Sequence, residues 1–154
     1  MTLDQVIIKE REDKIRSLNL DPDELLRKLP STQLPSIERI DEAVEYLKKE
    51  LDFSNKQFQI SPSLLGCSIE DNIKPKVEYY RNELSFDNKQ FQKLPALLTY
   101  SLEKRIKPRT EFLRIKQRNI PSNFLSSGDE LFCKNLAKCP LEEYESFKED
   151  YLKK

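Results

Sequence analysis

Apolar positions recur at helical spacing along most of the chain. Ile40, Ala43, Val44, Leu47 and Leu51 form one stripe with a period near 3.6 residues, and Ile73, Val77, Tyr80 and Leu84 form another. No stretch alternates apolar and polar residues with comparable regularity, so the pattern predicts helices and no strands. The punctuation between the stripes is equally regular. Ser54-x-x-Gln57 and Asp87-x-x-Gln90 read as capping boxes, in which each end of the motif satisfies a free N–H of the other. Phe53 and Phe58, and again Phe86 and Phe91, flank those caps at the spacing of a hydrophobic staple. Pro62 and Pro95 then stop the short helices, since proline disfavours helical geometry in the residue before it. Pro75 and Pro108 are expected in the first turn of the longer helices, where a missing N–H costs nothing.

These features belong to a repeat. Residues 45–59, EYLKKELDFSNKQFQ, match residues 78–92, EYYRNELSFDNKQFQ, at 10 of 15 positions with an offset of 33. The same offset carries Pro62 onto Pro95, Pro75 onto Pro108, and PSLLGCSIEDNIKPKVEYY onto PALLTYSLEKRIKPRTEFL. A weaker copy begins at Pro30, with one residue fewer before its helix. The expected unit is a helix, a tight turn, a short helix and a proline-marked turn. One such unit cannot bury its apolar stripe alone, so copies stack and the terminal ones become atypical. The expected architecture is an all-α curved solenoid, right- or left-handed, in a single domain over residues 1–154. Its parts are a charged N-terminal helix and partial repeat at 1–29, repeats at 30–61, 62–94 and 95–128, and capping helices at 129–154. Leu3, Val6, Ile7, Ile15 and Leu18 provide the apolar positions of the first segment. Leu131, Phe132, Leu136, Tyr144, Phe147 and Tyr151 provide those of the last, and Asn119–Gly128 between has loop composition.

Composition removes whole classes of chemistry. Without histidine there is no imidazole base, no Ser-His-Asp or Cys-His pair and no histidine metal ligand. The only glycines, Gly66 and Gly128, are too far apart for a phosphate-cradling loop. Cys67, Cys133 and Cys139 form no Cys-x-x-Cys pair, and an odd number of dispersed thiols reads as reduced, structural cysteine in an intracellular compartment. Cys133 and Cys139 alone make a poor metal site. The carboxylate groups Asp21/Asp23/Glu24 and Glu142/Glu143/Glu145 have no partner motif and read as helix-terminal charges. No stretch approaches the length of apolar chain that crosses a bilayer. The first residues mix acids and bases, unlike a secretory signal or an organelle transit peptide. The expectation is a monomeric non-enzyme without cofactor, metal or membrane.

Charge changes the picture when it is read by segment. The totals are equal, 27 Lys+Arg and 27 Asp+Glu. Residues 74–118 nevertheless hold 12 basic and 5 acidic side chains, a net of +7, whereas residues 1–73 carry −5 and residues 119–154 carry −2. The basic positions Lys74, Lys76, Lys104, Arg105, Lys107, Arg109, Arg114, Lys116 and Arg118 are the candidate phosphate contacts. Lys74, Lys76, Lys107 and Arg109 bracket the two prolines. If those prolines open their helices, the cations stand beside helix N-termini, which favour anions, and each repeat carries a phosphate clamp. Tyr79, Tyr80, Tyr100 and Phe112 are alternatively base-stacking residues or members of the core.

The repeated Pro-x-Leu-Leu-x-x-Ser-(Ile/Leu)-Glu-x-x-Ile-Lys-Pro pattern, with YSLEKRIKPRTEFL, PSNFLSS and DELFCKNL after it, resembles the mitochondrial transcription termination factor (mTERF) family over residues 18–152. That C-terminal stretch resembles the end of plant or algal members. The helix between cap and proline is about one turn shorter than is usual in the family, and the array has three to four units. The resemblance implies a helical array that binds double-stranded DNA or RNA in mitochondria or chloroplasts. It further implies a part in transcription termination or initiation, or in RNA maturation. The alternative is a protein-interaction scaffold in organelle ribosome or RNA-modification assembly.

Overall fold

The computed structural model describes residues 2–29 and 33–154, and among these every regular element is helical. Pro30, the start of the weaker copy, lies outside the described residues. The chain divides into two compact units, Met1–Thr99 and Tyr100–Lys154.

The first unit contains α1 (Leu3–Ser17), α2 (Pro22–Lys28), α3 (Ile37–Leu51), α4 (Asn55–Ile60), α5 (Lys74–Leu84) and α6 (Asn88–Lys93). Short 3-10 turns, Pro62–Gly66 and Pro95–Leu98, follow α4 and α6, as the stop prolines predict. The division at Thr99 falls after the second of these turns because α5 holds it. Lys76 Nζ donates to Leu98 O at 3.0 Å and Tyr80 Oη donates to Leu97 O at 2.6 Å.

The repeat is visible in backbone angles as well as in letters. Asn19, Asp52 and Ser85 are spaced by 33 residues, and all three occupy the left-handed region at φ 63°, 56° and 55°. At two of these corners an aromatic N–H closes back onto the helix: Phe53 N to Leu47 O and Phe86 N to Tyr80 O, both 3.1 Å. Glycine is the usual residue here because a Cβ is penalised. Asn19 shows that the N-terminal segment carries the same corner, which the letters do not reveal. Ser85→Gly should therefore raise stability by about 0.5–1 kcal/mol, the relief of the left-handed penalty less the added chain entropy. Chemical denaturation of the two proteins measures it.

Packing follows the same offset. Phe53 meets Phe58 edge-on, with ring centroids 6.1 Å apart, so the staple forms directly in the first copy. In the next copy Tyr80 replaces Leu47 and stands between the two phenylalanines, 5.5 Å from Phe86 and 5.6 Å from Phe91. The capping residues also behave as their spacing predicts. Ser54 N–H donates to Gln57 Oε1 at 2.7 Å, and Asp87 Oδ1 accepts from Lys89 N and Gln90 N. Neighbouring copies are tied by Gln92, which donates to Leu51 O at 3.0 Å, and by Gln57, which donates to Gln92 O at 3.3 Å. Ile40, Ala43, Leu47, Leu51, Phe58, Leu64 and Ile73 are fully buried, each large one contributing about 1.5–3 kcal/mol. The apolar residues of α1 divide. Ile15 and Leu18 are buried, whereas Leu3, Val6, Ile7 and Ile8 remain exposed.

The second unit contains α7 (Lys107–Ile115), α8 (Asp129–Phe132) and α9 (Leu141–Leu152). The segment between α7 and α8 is irregular, as its composition predicts, but Phe124 and Leu125 within it are fully buried. Phe112, Phe132, Tyr144 and Phe147 pack around one another with centroids 5.0–6.5 Å apart.

The longer helices begin earlier than the prolines suggest. A π-helical turn, Ile69–Ile73, runs straight into α5, and another, Leu102–Ile106, runs straight into α7. Ser68 and Ser101 are the true N-caps, accepting from Asp71 N at 3.2 Å and Lys104 N at 3.1 Å. Pro75 and Pro108 thus lie in the second turn of continuous helices, contrary to the first-turn expectation. Proline inside an α-helix loses a hydrogen bond and clashes with the carbonyl four residues back. The widened turn just before each proline relieves this, with Ile73 N bonded to Ser68 O and Ile106 N to Ser101 O, five residues apart.

Candidate nucleic-acid interface

Because the helices start at Ser68 and Ser101, their free N–H groups lie one to two turns before the bracketing cations. The residues beside them are Glu70 and Asp71 in one copy and Glu103 and Lys104 in the other. The expected clamp of Lys74, Lys76, Lys107 and Arg109 around helix N-termini is therefore not formed.

The nine candidate cations fall into two groups. The first is committed to the fold. Lys76 is 6% exposed and its ammonium is spent on Leu98 O, with burial lowering its pKa from the ordinary lysine value. Arg109, one repeat later at the same register, is 0% exposed. Its Nη1 donates to Phe124 O and its Nη2 to Asp129 Oδ1, both at 3.0 Å, and its guanidinium lies 4.5 Å from the Phe132 ring centre. Asp129 Oδ2 accepts in turn from Lys148 at 2.7 Å. Burial alone would raise the Asp129 carboxyl, but hydrogen bonds and charge from Lys148 and Arg109 outweigh it and hold the group below 3.8. Arg105 donates to Leu125 O and Ser127 O and lies over the Tyr100 ring at 5.1 Å. Lys76 and Arg109 thus cannot offer their charge to a phosphate on the surface, because desolvation and backbone carbonyls have claimed it. The same register that looked like a clamp fastens each long helix to the turn beyond it.

The second group keeps its charge at the surface. Lys104 is exposed and its ammonium has no partner among the described residues. Lys107 pairs with Glu103 at 2.7 Å, Arg114 with Glu111 at 3.4 Å and Lys116 with Glu143 at 2.7 Å. Arg118 is exposed and uses Nε on Ala137 O at 3.1 Å. Lys107, Glu111 and Arg114 share one face of α7 at spacings of four and three. Their ion pairs are solvent-exposed and worth about 0–1 kcal/mol, so a phosphate can replace the carboxylate. In the first unit Lys74 remains at the surface, paired with Glu70 at 3.0 Å.

The aromatic alternative resolves largely toward packing. Tyr80 and Phe112 are core residues, and Tyr79 and Tyr100 are half-buried. The acidic groups sit at helix starts: Asp21 caps α2 by accepting from Asp23 N at 3.0 Å, and Glu142 and Glu143 lie in the first turn of α9. Sequence reasoning missed the Ser68 and Ser101 caps, although Ser-x-x-Asp at 68–71 was a usable signal. It also missed the carbonyl acceptors, which are backbone atoms and leave no trace in side-chain letters. Among the described residues, no cluster of three or more metal-ligating side chains forms and no helix is long and apolar enough to cross a membrane.

No curated protein matches this chain. The sequence model of the mTERF family matches residues 1–134, spanning both π-turn helices, their corners and the basic stretch between Lys74 and Arg118. Members of that family are organellar nucleic-acid-binding repeat proteins that act in transcription or RNA-related regulation. With its proline-marked helical repeats and a match over most of its length, the chain belongs to the mTERF family.

Proposed function

We propose that this protein binds nucleic acid through the phosphate backbone and thereby regulates organellar transcription, at termination or initiation, or RNA maturation. Lys104, Lys107, Arg114, Lys116 and Arg118 carry the contact, with Lys74 as an additional one. Arg105 and Arg109 act beneath that surface by holding its helix in place, and Lys76 does the same for α5 within the first unit. The supporting observation is that five cations of one short stretch keep accessible charge after three neighbours have been consumed by the fold. Backbone contact positions a protein without reading bases, so sequence preference is weak.

A direct comparison of double-stranded DNA, single-stranded DNA and RNA of matched length, by fluorescence anisotropy at low salt, tests this reading. Binding to at least one of them, with less than about tenfold variation among unrelated sequences, is expected. No binding to any would overturn it. The second reading, a protein-interaction scaffold, draws on the exposed Leu3, Val6, Ile7 and Ile8 of α1, an apolar surface of the kind protein partners cover. It predicts retention of a protein partner by variants whose basic stretch has been reversed.

A further inference from the structure

The turn that follows α8 brings together two cysteines six residues apart. The π-helical turn Cys133–Ala137 ends at Lys138, which adopts the left-handed conformation at φ 58°. That corner folds the chain back, so Cys139 N–H donates to Cys133 O at 3.1 Å. A backbone bond between the two residues themselves holds them close together, and a disulfide spans Cα atoms ~4.4–6.8 Å apart. The side chains adjoin as well, close enough for the Cys139 thiol to raise that of Cys133. Both are free thiols in this structure, and they differ in access: Cys133 is 1% exposed, whereas Cys139 is half-buried. Neither belongs to the proposed nucleic-acid contact.

We infer that Cys133 and Cys139 form a reversible dithiol–disulfide site, in which the accessible Cys139 reacts with a low-molecular-weight disulfide and the buried Cys133 resolves the product. Cys139 thiolate attacks one sulfur of the small disulfide, forming a mixed disulfide and expelling one small thiolate. Cys133 then loses its proton to solvent and attacks Cys139 Sγ, expelling the second small thiolate, which is protonated. Two protein sulfurs are oxidised and the two sulfurs of the small disulfide are reduced, so electrons and atoms balance. The order follows from the surroundings. Burial and the adjoining Cys139 push the Cys133 thiol up to about 12, so it does not react first. Once Cys139 is a mixed disulfide its thiol is gone, and one cause of that elevation disappears. The closed bond would fix the corner at Lys138 and with it Ala137, whose carbonyl holds Arg118.

The test uses the full chain, reduced and then incubated with oxidised glutathione under native conditions. Trypsin cuts after Lys134 and Lys138, separating residues 119–134 from 139–148 unless a disulfide joins them. The joined pair of peptides, with an intact mass lower by two hydrogens at this site and no glutathione on either cysteine, is the expected result. In Cys133→Ala the glutathione should remain on Cys139. In Cys139→Ser, modification of Cys133 should be slower by roughly tenfold or more, as burial withholds the thiolate. A wild-type chain that keeps glutathione on Cys139, or in which both cysteines stay thiols, would overturn the inference. The wild-type peptide map decides the matter even if a variant folds poorly.

Discussion

Asp129→Ala is expected to destabilise the second unit by about 3–5 kcal/mol, the cost of leaving a buried charge without its partner. Arg109 is fully buried, and its guanidinium is held by the Asp129 carboxylate, Phe124 O and the Phe132 ring. Lys148 loses the same partner. Thermal or urea unfolding followed by the tyrosine signal measures the loss. The Arg109→Met/Asp129→Leu double variant should cost less than the sum of its single changes, because each single change strands the other group. The pH dependence has a definite sign. The Asp129 carboxyl lies below its ordinary value in the folded state. Its contribution is therefore complete above the unfolded value near 3.8 and is lost as pH falls through the folded one. Asp129→Asn should remove that component of acid sensitivity, and a stability profile identical to that of the wild type below pH 4 would contradict the assignment.

The Lys104→Glu/Arg114→Glu double variant is expected to weaken nucleic-acid binding on the order of 100-fold at about 0.1 M salt while leaving the fold intact. Each lost phosphate contact removes the release of about 0.9 counterions on duplex, and reversal adds repulsion to that loss. Both side chains are exposed, and Arg114 pairs with Glu111 at the surface. Arg105→Glu would be a poor substitute for this test, since it would also strip Leu125 O and Ser127 O of their donor. Circular dichroism and the unfolding midpoint of the double variant separate the two effects: a lost signal with an unchanged midpoint locates the loss in binding.

The fold was legible where side chains carry it. The stripes of α3 and α5, the staples at Phe53 and Phe86, the caps at Ser54 and Asp87, and the stops at Pro62 and Pro95 all appear at the expected positions. The starts of the longer helices were misread because proline was weighed as a first-turn residue. A π-turn lets a helix continue through it, and the Ser68 and Ser101 caps were the competing signal. The basic cluster was legible as charge but not as function. Lys76 and Arg109 stand at one register in successive copies, and a repeated cation looks alike whether it meets a phosphate outside or a carbonyl inside. Only the positions of Leu98 O and Phe124 O distinguish the two. The left-handed corners at Asn19, Asp52 and Ser85 were hidden for a different reason: three different polar residues occupy a site where glycine would have announced it.

The claim that exposed cations of the basic stretch engage the phosphate backbone is tested most directly by affinity measured against salt concentration on duplex and single-stranded ligands. Contact by the five cations Lys104, Lys107, Arg114, Lys116 and Arg118 predicts that log K falls against log salt with a slope of about −4.5 on duplex and about −3.5 on a single strand. The Lys104→Glu/Arg114→Glu variant should lose about 2 units of the duplex slope. A flat dependence for the wild type, or a slope that the variant leaves unchanged, would contradict the account.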